Sequence, residues 1–363
     1  MDKYYKHILS QFRIDDVPIS CERYGNGHIN VTYLVVTRSG RRYILQKISN
    51  RAFPNVSQLQ QNIAAITEYL HEKNDQPFSA LTLIKTKEGQ DWFHFEEGSD
   101  WRIYDFIENS ICLQSPETPE DFYQAAIGIG TFQQQLKDFP AETLYETIEN
   151  FHNTPNRYKL FRKALAENPI DRAKLVQPEI EFILKHESIA GKLVGLLKSG
   201  ELPLKVTHND TKLNNVMLHE KTREAMCVID LDTTMPGLTA YDFGDSIRFG
   251  AATAAEDEKD LDKMTIDLEM YRIFTRGFLK ACPGLTSKER EVFPLGALTM
   301  TLECGIRFLT DYLEGDHYFG IRYSEHNLDR CRTQLKLASE MIRKFDEMSL
   351  IVKEESKNVK GVV

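Results

Sequence analysis

Apolar residues change their rhythm several times along this chain. Tyr4, Tyr5, Ile8, Leu9 and Phe12 recur at helical spacing ahead of Pro18. From Ser20, the stretch CERYGNGHINVTYLVVTRSGRRYILQKI alternates apolar and polar positions and carries Gly25, Gly27 and Gly40 at its turns, which predicts three strands. Helical spacing returns from about Asn55, with Val56, Leu59, Ile63, Ile66 and Leu70 on one stripe. The segment LTLIKTKEGQDWFHFEEGSDWRIYDFIE then predicts three short strands divided at Gly89 and Gly98.

After Glu108 the pattern is helical, over residues 118–138, 177–198, 257–281, 287–314 and 325–353. One stretch interrupts it: Val206 to Gly250, read as two apolar strand-like segments and their turns. The pattern predicts an α+β protein of two lobes with a ligand cleft at their junction. A small antiparallel β-rich lobe with one helix spans residues 1–105, and a larger, mostly helical lobe spans residues 106–363.

Composition acts mainly by exclusion. Among 363 residues the net charge is -9, with no long basic run, which argues against a nucleic-acid partner. No apolar run approaches the length needed to span a bilayer, and the opening MDKYYKHILSQF lacks the apolar core of a signal peptide. The six cysteines are scattered without a C-x-x-C pair, so zinc and redox motifs are not expected. Cytoplasmic location and no membrane partner are the resulting expectations. Oligomeric state is left open, and a monomer is compatible with every feature.

The interrupting stretch carries the chemistry. It gathers His208, Asp210, Asn215, Asp230, Asp232, Asp242 and Asp245 beside apolar segments. Carboxylates buried without partners cost several kcal/mol each, so a divalent cation and a proton acceptor are the economical explanation. The spacing His208-x-Asp210-x-x-x-x-Asn215, with Ile229-Asp230 following, is that of a kinase catalytic loop and metal-binding strand. In that pattern Asp210 accepts a proton from the attacking hydroxyl, while Asn215 and Asp230 hold Mg2+ against the phosphates of ATP. His208 is expected to brace the loop, and Asp242 and Asp245 to cap or brace the turn YDFGDS. Asp232 fits either a place behind the metal or a structural one.

These motifs resemble the aminoglycoside phosphotransferase and choline kinase superfamily, in which HND and ID stand for the HRD and DFG of protein kinases. Longer strings, among them YGNGHINVTYLV, WRIYDFIE, FHNTPNRY, THNDTKLNNVML, IDLDTTMPG and ECGIRFLTDYLEGDHYF, are similar to the bacterial N-acetylhexosamine 1-kinases over about residues 20–345. The resemblance implies a protein-kinase-like bilobal fold and ATP-dependent phosphorylation of a small-molecule sugar at its anomeric hydroxyl. It implies nucleotide contacts from the glycine turn (Gly25, Gly27), from Gln46, and from the backbone of Asp105 and Ile107 at an interlobe hinge. For the acceptor it implies His28, Asn30, Asp210, Arg307 and Tyr318. Two bland readings compete: Arg307 paired with Asp311 four residues on, and Tyr318 as a core residue.

One departure stands out. YILQKI places Gln46 where kinases carry a strand lysine, with Lys47 beside it. Neighbouring strand residues face opposite ways, and Gln46 is expected toward the cleft with Lys47 solvated. The helix that normally answers that lysine with a glutamate offers Asn62, with Glu68 further along. The missing charge would leave the phosphates to Mg2+ and loop amides. Rival functions are another kinase of this fold, for choline, homoserine, methylthioribose or an aminoglycoside, and a nucleotide-binding protein without catalysis.

Overall fold

The structure, a computed structural model, describes residues 1–25, 29–73, 78–95 and 98–360. Gly27 and His28 therefore lie outside the described residues. Helix α1 (Lys3–Leu9) starts where the Asp2 carboxylate accepts the Tyr4 amide. Strands β1 (Pro18–Arg23), β2 (Val31–Thr37) and β3 (Arg42–Ile48) follow, then helix α2 (Val56–Lys73), β4 (Phe93–Phe95) and β5 (Ser99–Asp105). The five strands form one antiparallel sheet in the order β1-β2-β3-β5-β4. One core packs Ile8, Leu9 and Phe12 against Val35, Leu45, Trp101 and Ile103 of the sheet. The α2 stripe belongs to the main core with Ile48 and Tyr104.

The remainder holds β6 (Ser110–Ile111), α3 (Pro119–Gln135), α4 (Thr154–Glu167), α5 (Gln177–Lys185), α6 (Glu187–Lys198), β7 (Lys205–Thr207), β8 (Val216–His219), β9 (Ala225–Val228) and β10 (Met235–Gly237). After them come α7 (Thr239–Gly250), α8 (Leu268–Ala281), α9 (Ser287–Glu291), α10 (Phe293–Glu314), α11 (His326–Arg343) and α12 (Phe345–Lys360). A three-stranded sheet, β6-β8-β9, and the pair β10-β7 carry the segments on either side of the HND motif. An antiparallel sheet region followed by a helical region is the protein-kinase-like α+β architecture expected.

Several elements differ from the pattern, each for a local reason. Three predicted helices are pairs. The 177–198 helix breaks at His186, whose Nδ1 turns back to the Phe182 carbonyl at 2.8 Å. The 287–314 helix breaks at Val292, ahead of Pro294 in the first turn of α10. The 325–353 helix breaks at Lys344, whose ammonium is drawn off to the Ile266 carbonyl at 2.9 Å. The 257–281 helix begins only at Leu268, because the Asp267 carboxylate caps the amides of Glu269 and Met270. The strand expected near residues 81–86 is reduced to isolated bridges, Leu83 with Tyr104 and Phe12 with Thr86.

Helices α4 and α7 have no counterpart in the pattern. In α7, Thr239 through Arg248 are all buried, so no polar face exists to produce a helical period. Gly244 lets α7 touch α10: a Cβ there would stand 2.5 Å from the Gly296 carbonyl oxygen.

Candidate active site

The catalytic-loop motif leaves β7 at Thr207 and is gripped from beneath by α7. The Asp242 carboxylate, fully buried, accepts the amides of His208 at 2.9 Å and Asn209 at 2.8 Å, and the Gln133 side chain as well. Asp245 accepts the Thr211 amide at 2.9 Å and is held by Arg248 at 2.8 Å. Both carboxylates are thus braces, carried by a helix rather than by the turn expected. They satisfy loop N–H groups that no secondary structure reaches. Asn209 at φ 64° and Asp230 at φ 60° adopt the left-handed conformation, which Asn and Asp tolerate better than most residues.

His208 braces the loop from the other side. Its Nε2 lies 2.8 Å from the Ile229 carbonyl, which can only accept, so that nitrogen carries the proton. Its Nδ1 accepts the Asp210 amide at 3.3 Å. The Ile229 amide in turn donates to the Asn215 carbonyl at 2.9 Å, bringing Asp230 beside Asn215.

Asp210, Asn215 and Asp230 converge. Asn215 Nδ2 donates to the Asp210 carbonyl at 2.8 Å and to its carboxylate at 3.2 Å, so its side-chain oxygen is the atom left to face a cation. Lys212 Nζ stands 2.8 Å from Asp210 Oδ1. Burial would raise the Asp210 carboxyl, but Lys212 outweighs it and holds the group below its ordinary value. Asp230 is the reverse: it is exposed to solvent, yet the surrounding protein and the charges of Asp232 and Asp210 push it up to about 6. Such crowding of negative charge suits a divalent cation. Among the described residues no three His, Cys, Asp or Glu side chains converge as a self-sufficient cage. That fits Mg2+, which binds through one or two carboxylates and completes its shell with phosphates and water.

Thr32, Gln46 and Arg102 stand opposite one another across β2, β3 and β5, on one face of the sheet. Gln46 Nε2 donates to Thr32 Oγ1 at 3.2 Å, and Arg102 Nε donates to Gln46 Oε1 at 2.9 Å. Arg102, 1% exposed, also meets Asp232, 3% exposed, at 2.5 Å. Lys47 lies on the opposite face, half-buried, with its ammonium 5.9 Å from the centre of the Trp101 ring. Asn30 is held within this same cluster. It is 7% exposed, its amide donates to Asp232, and its oxygen accepts the Ser49 amide at 3.0 Å, so the protein itself uses both ends. Glu68 pairs with Lys85 on the surface at 3.1 Å, away from this cluster.

Of the remaining nucleotide candidates, Gly25 sits at the end of β1 with φ 68°, open to a close backbone approach. Asp105 closes β5; its amide donates to the Thr82 carbonyl at 2.9 Å and its carboxylate pairs with Arg41. The Ile107 carbonyl accepts the Ser110 hydroxyl at 2.6 Å, and no backbone hydrogen bond among the described residues occupies the Ile107 amide.

Arg307 and Tyr318 line a cavity of about 230 Å³ together with Arg157, Asp311, Glu314 and Phe319. The Arg307 guanidinium packs over the rings of Phe151, Tyr318 and Phe319 at 5.2–5.7 Å. Neither bland reading holds. Asp311 accepts the amides of His317, Tyr318 and Phe319 rather than pairing with Arg307, and Tyr318 is 65% exposed. One turn back on α10, buried Glu303 binds His152 Nδ1 at 2.8 Å, and His152 Nε2 reaches the Asn209 carbonyl at 3.3 Å. This chain links α10 to the HND loop.

Lys212, Arg102, His152, Glu303 and Arg157 were not singled out from sequence. Lys212 had a signal, two residues beyond Asp210; His152 and Arg157 lay unremarked inside FHNTPNRY.

A sequence profile of the phosphotransferase enzyme (APH) family matches residues 20–272, more than half of the chain. The chain belongs to this family. Its fold is also that of solved structures at low identity. An aminoglycoside phosphotransferase from Alicyclobacillus acidocaldarius superposes with a TM-score of 0.60 at 12% identity, over 98% of this chain and 96% of that one. Choline kinase from Cryptosporidium parvum gives 0.57 at 13%, covering 92% of each. Ethanolamine kinase from Plasmodium vivax gives 0.56 at 16%, over 87% and 82%.

Proposed function

We propose that this phosphotransferase is an N-acetylhexosamine 1-kinase. It transfers the γ-phosphoryl group of ATP to the anomeric hydroxyl of N-acetylglucosamine or N-acetylgalactosamine. Residues 1–105 form the nucleotide-binding lobe and residues 106–363 the catalytic and sugar-binding lobe. The setting is cytoplasmic, with no nucleic-acid or membrane partner; among the described residues no helix is long and apolar enough to cross a membrane.

Asp210 accepts the proton of the sugar hydroxyl as the new P–O bond forms and the bond from the γ-phosphorus to the bridging oxygen breaks, releasing ADP. Lys212 keeps that carboxylate ionised. Asn215 and Asp230 would hold Mg2+, which would neutralise the charge of the ATP phosphates. Gly25, Gly27 and Gln46 face the phosphates, and the backbone of Asp105 and Ile107 meets the adenine edge. His28, Asn30, Arg307 and Tyr318 bind the sugar.

The observation that carries the choice of acceptor is the cavity of Arg157, Arg307 and Tyr318. Its two guanidiniums are matched in number by two carboxylates, Asp311 and Glu314, a balanced polar lining that supports a neutral polar acceptor. Asp311 accepts the amides of His317 and Tyr318, which holds the loop carrying Tyr318 against α10. Arginine and tyrosine donors suit hydroxyl and acetamido oxygens, and reject analogues lacking them. Phosphorus NMR of reactions with N-acetylglucosamine, N-acetylgalactosamine, glucose and choline tests this. An anomeric phosphate on the acetamido sugars is expected; faster phosphorylation of choline would overturn the assignment.

A further inference from the structure

The strand lysine that kinases aim at the nucleotide phosphates is absent, and neither neighbour replaces it directly. Gln46 is neutral, and Lys47 points to the far face, over Trp101. The nearest cation on the correct face is Arg102, directly opposite Gln46 on β5. It is 1% exposed, so it cannot itself meet a ligand across an open surface. Gln46 is half-buried and stands in front of it.

The orientation of Gln46 follows from Arg102. A guanidinium has donors and no acceptor, so the end of the glutamine amide that Arg102 Nε touches at 2.9 Å must be the oxygen. The NH2 end is thereby turned the other way, where Thr32 Oγ1 takes one hydrogen at 3.2 Å and the second is left to donate. Arg102 is itself anchored by Asp232, two residues beyond Asp230. Its Nη1 and Asp232 Oδ1 approach to 2.5 Å as an ion pair without hydrogen-bond alignment. A buried arginine beside an incompletely aligned carboxylate is a poor device for stability alone.

We propose that Arg102 and Gln46 divide between them the task of the strand lysine. Gln46 donates its NH2 to the nucleotide phosphates, and Arg102 is the positioning residue that fixes that orientation and supplies positive charge behind it. The division rests on the ATP-dependent reading of the site and is independent of which acceptor is used.

Gln46→Glu separates this from a structural role. The substitution is nearly isosteric and gives Arg102 a second carboxylate, so a merely structural contact survives or strengthens. If Gln46 is the phosphate donor, the new carboxylate repels the nucleotide. Calorimetric titration with AMP-PNP and with adenosine, alongside thermal unfolding, reads both. AMP-PNP affinity is expected to fall at least tenfold, with adenosine affinity and Tm unchanged. Moving the charge forward, in Gln46→Lys with Arg102→Met, is expected to restore AMP-PNP affinity to within about threefold of the unaltered protein. AMP-PNP affinity in Gln46→Glu within twofold of the unaltered protein would overturn the proposal. If the unaltered protein itself failed to bind AMP-PNP, the ATP-dependent reading would fall and this inference with it.

Discussion

Asn62 and Tyr145 are joined by two reciprocal hydrogen bonds: Asn62 Nδ2 donates to the Tyr145 carbonyl at 2.8 Å, and the Tyr145 amide donates to Asn62 Oδ1 at 2.9 Å. The same Nδ2 reaches the Thr234 carbonyl at 3.3 Å. Asn62 occupies the place on α2 where a lysine-pairing glutamate was sought. With no strand lysine to answer, the position ties α2 to the loop after α3 and to the segment following Asp230. Asn62→Ala removes all three bonds and should lower stability by about 1–3 kcal/mol, measured by urea unfolding.

In the proposed reaction Asp210 is the carboxylate that takes the proton. Asp210→Asn keeps the shape and loses the basicity. Turnover should fall by about two to four orders of magnitude with nucleotide affinity largely retained. Near-normal turnover would remove Asp210 from the chemistry.

Asp242 acts at one remove, through the amides of His208 and Asn209. In Asp242→Asn an NH2 can face those N–H groups, leaving buried donors without acceptors. The loss should be about 2–3 kcal/mol, visible as a lowered Tm, with kcat reduced because the Asp210 loop is no longer held.

Arg307 and Tyr318 should affect the acceptor alone. For Arg307→Ala we expect the sugar KM to rise by about tenfold or more, the worth of one or two lost hydrogen bonds, with the ATP KM unchanged. Equal effects on both substrates would mean that the cavity is not the acceptor site.

Acid stability should report Glu340. Its hydrogen bond from Arg343 at 2.6 Å, with a further one from Lys336 at 3.0 Å, lowers its pKa from 4.5 to about 2. The folded-state value lies below the unfolded one. The contribution to stability is therefore complete above pH 4.5 and is lost as pH falls through about 2. Glu340→Gln should lower stability at neutral pH and flatten its pH dependence across that window, as followed by chemical unfolding at several pH values.

The sequence by itself determined the sheet, whose alternating segments and glycine turns are local signals, and the long amphipathic helices, though not where they break. It also determined the spacing of Asp210, Asn215 and Asp230, because a loop of fixed length between two strands is set by the chain alone. Tertiary structure decided the rest. Helix α7 is buried on every side and so leaves no period to read. Asp242 and Asp245 became braces only because that helix lies under the loop. Arg102 meets Gln46 through strand pairing over 56 residues, and Asp232 over a longer separation still. Pairings of that kind depend on register and on which face of a sheet each side chain takes, and no local spacing encodes them.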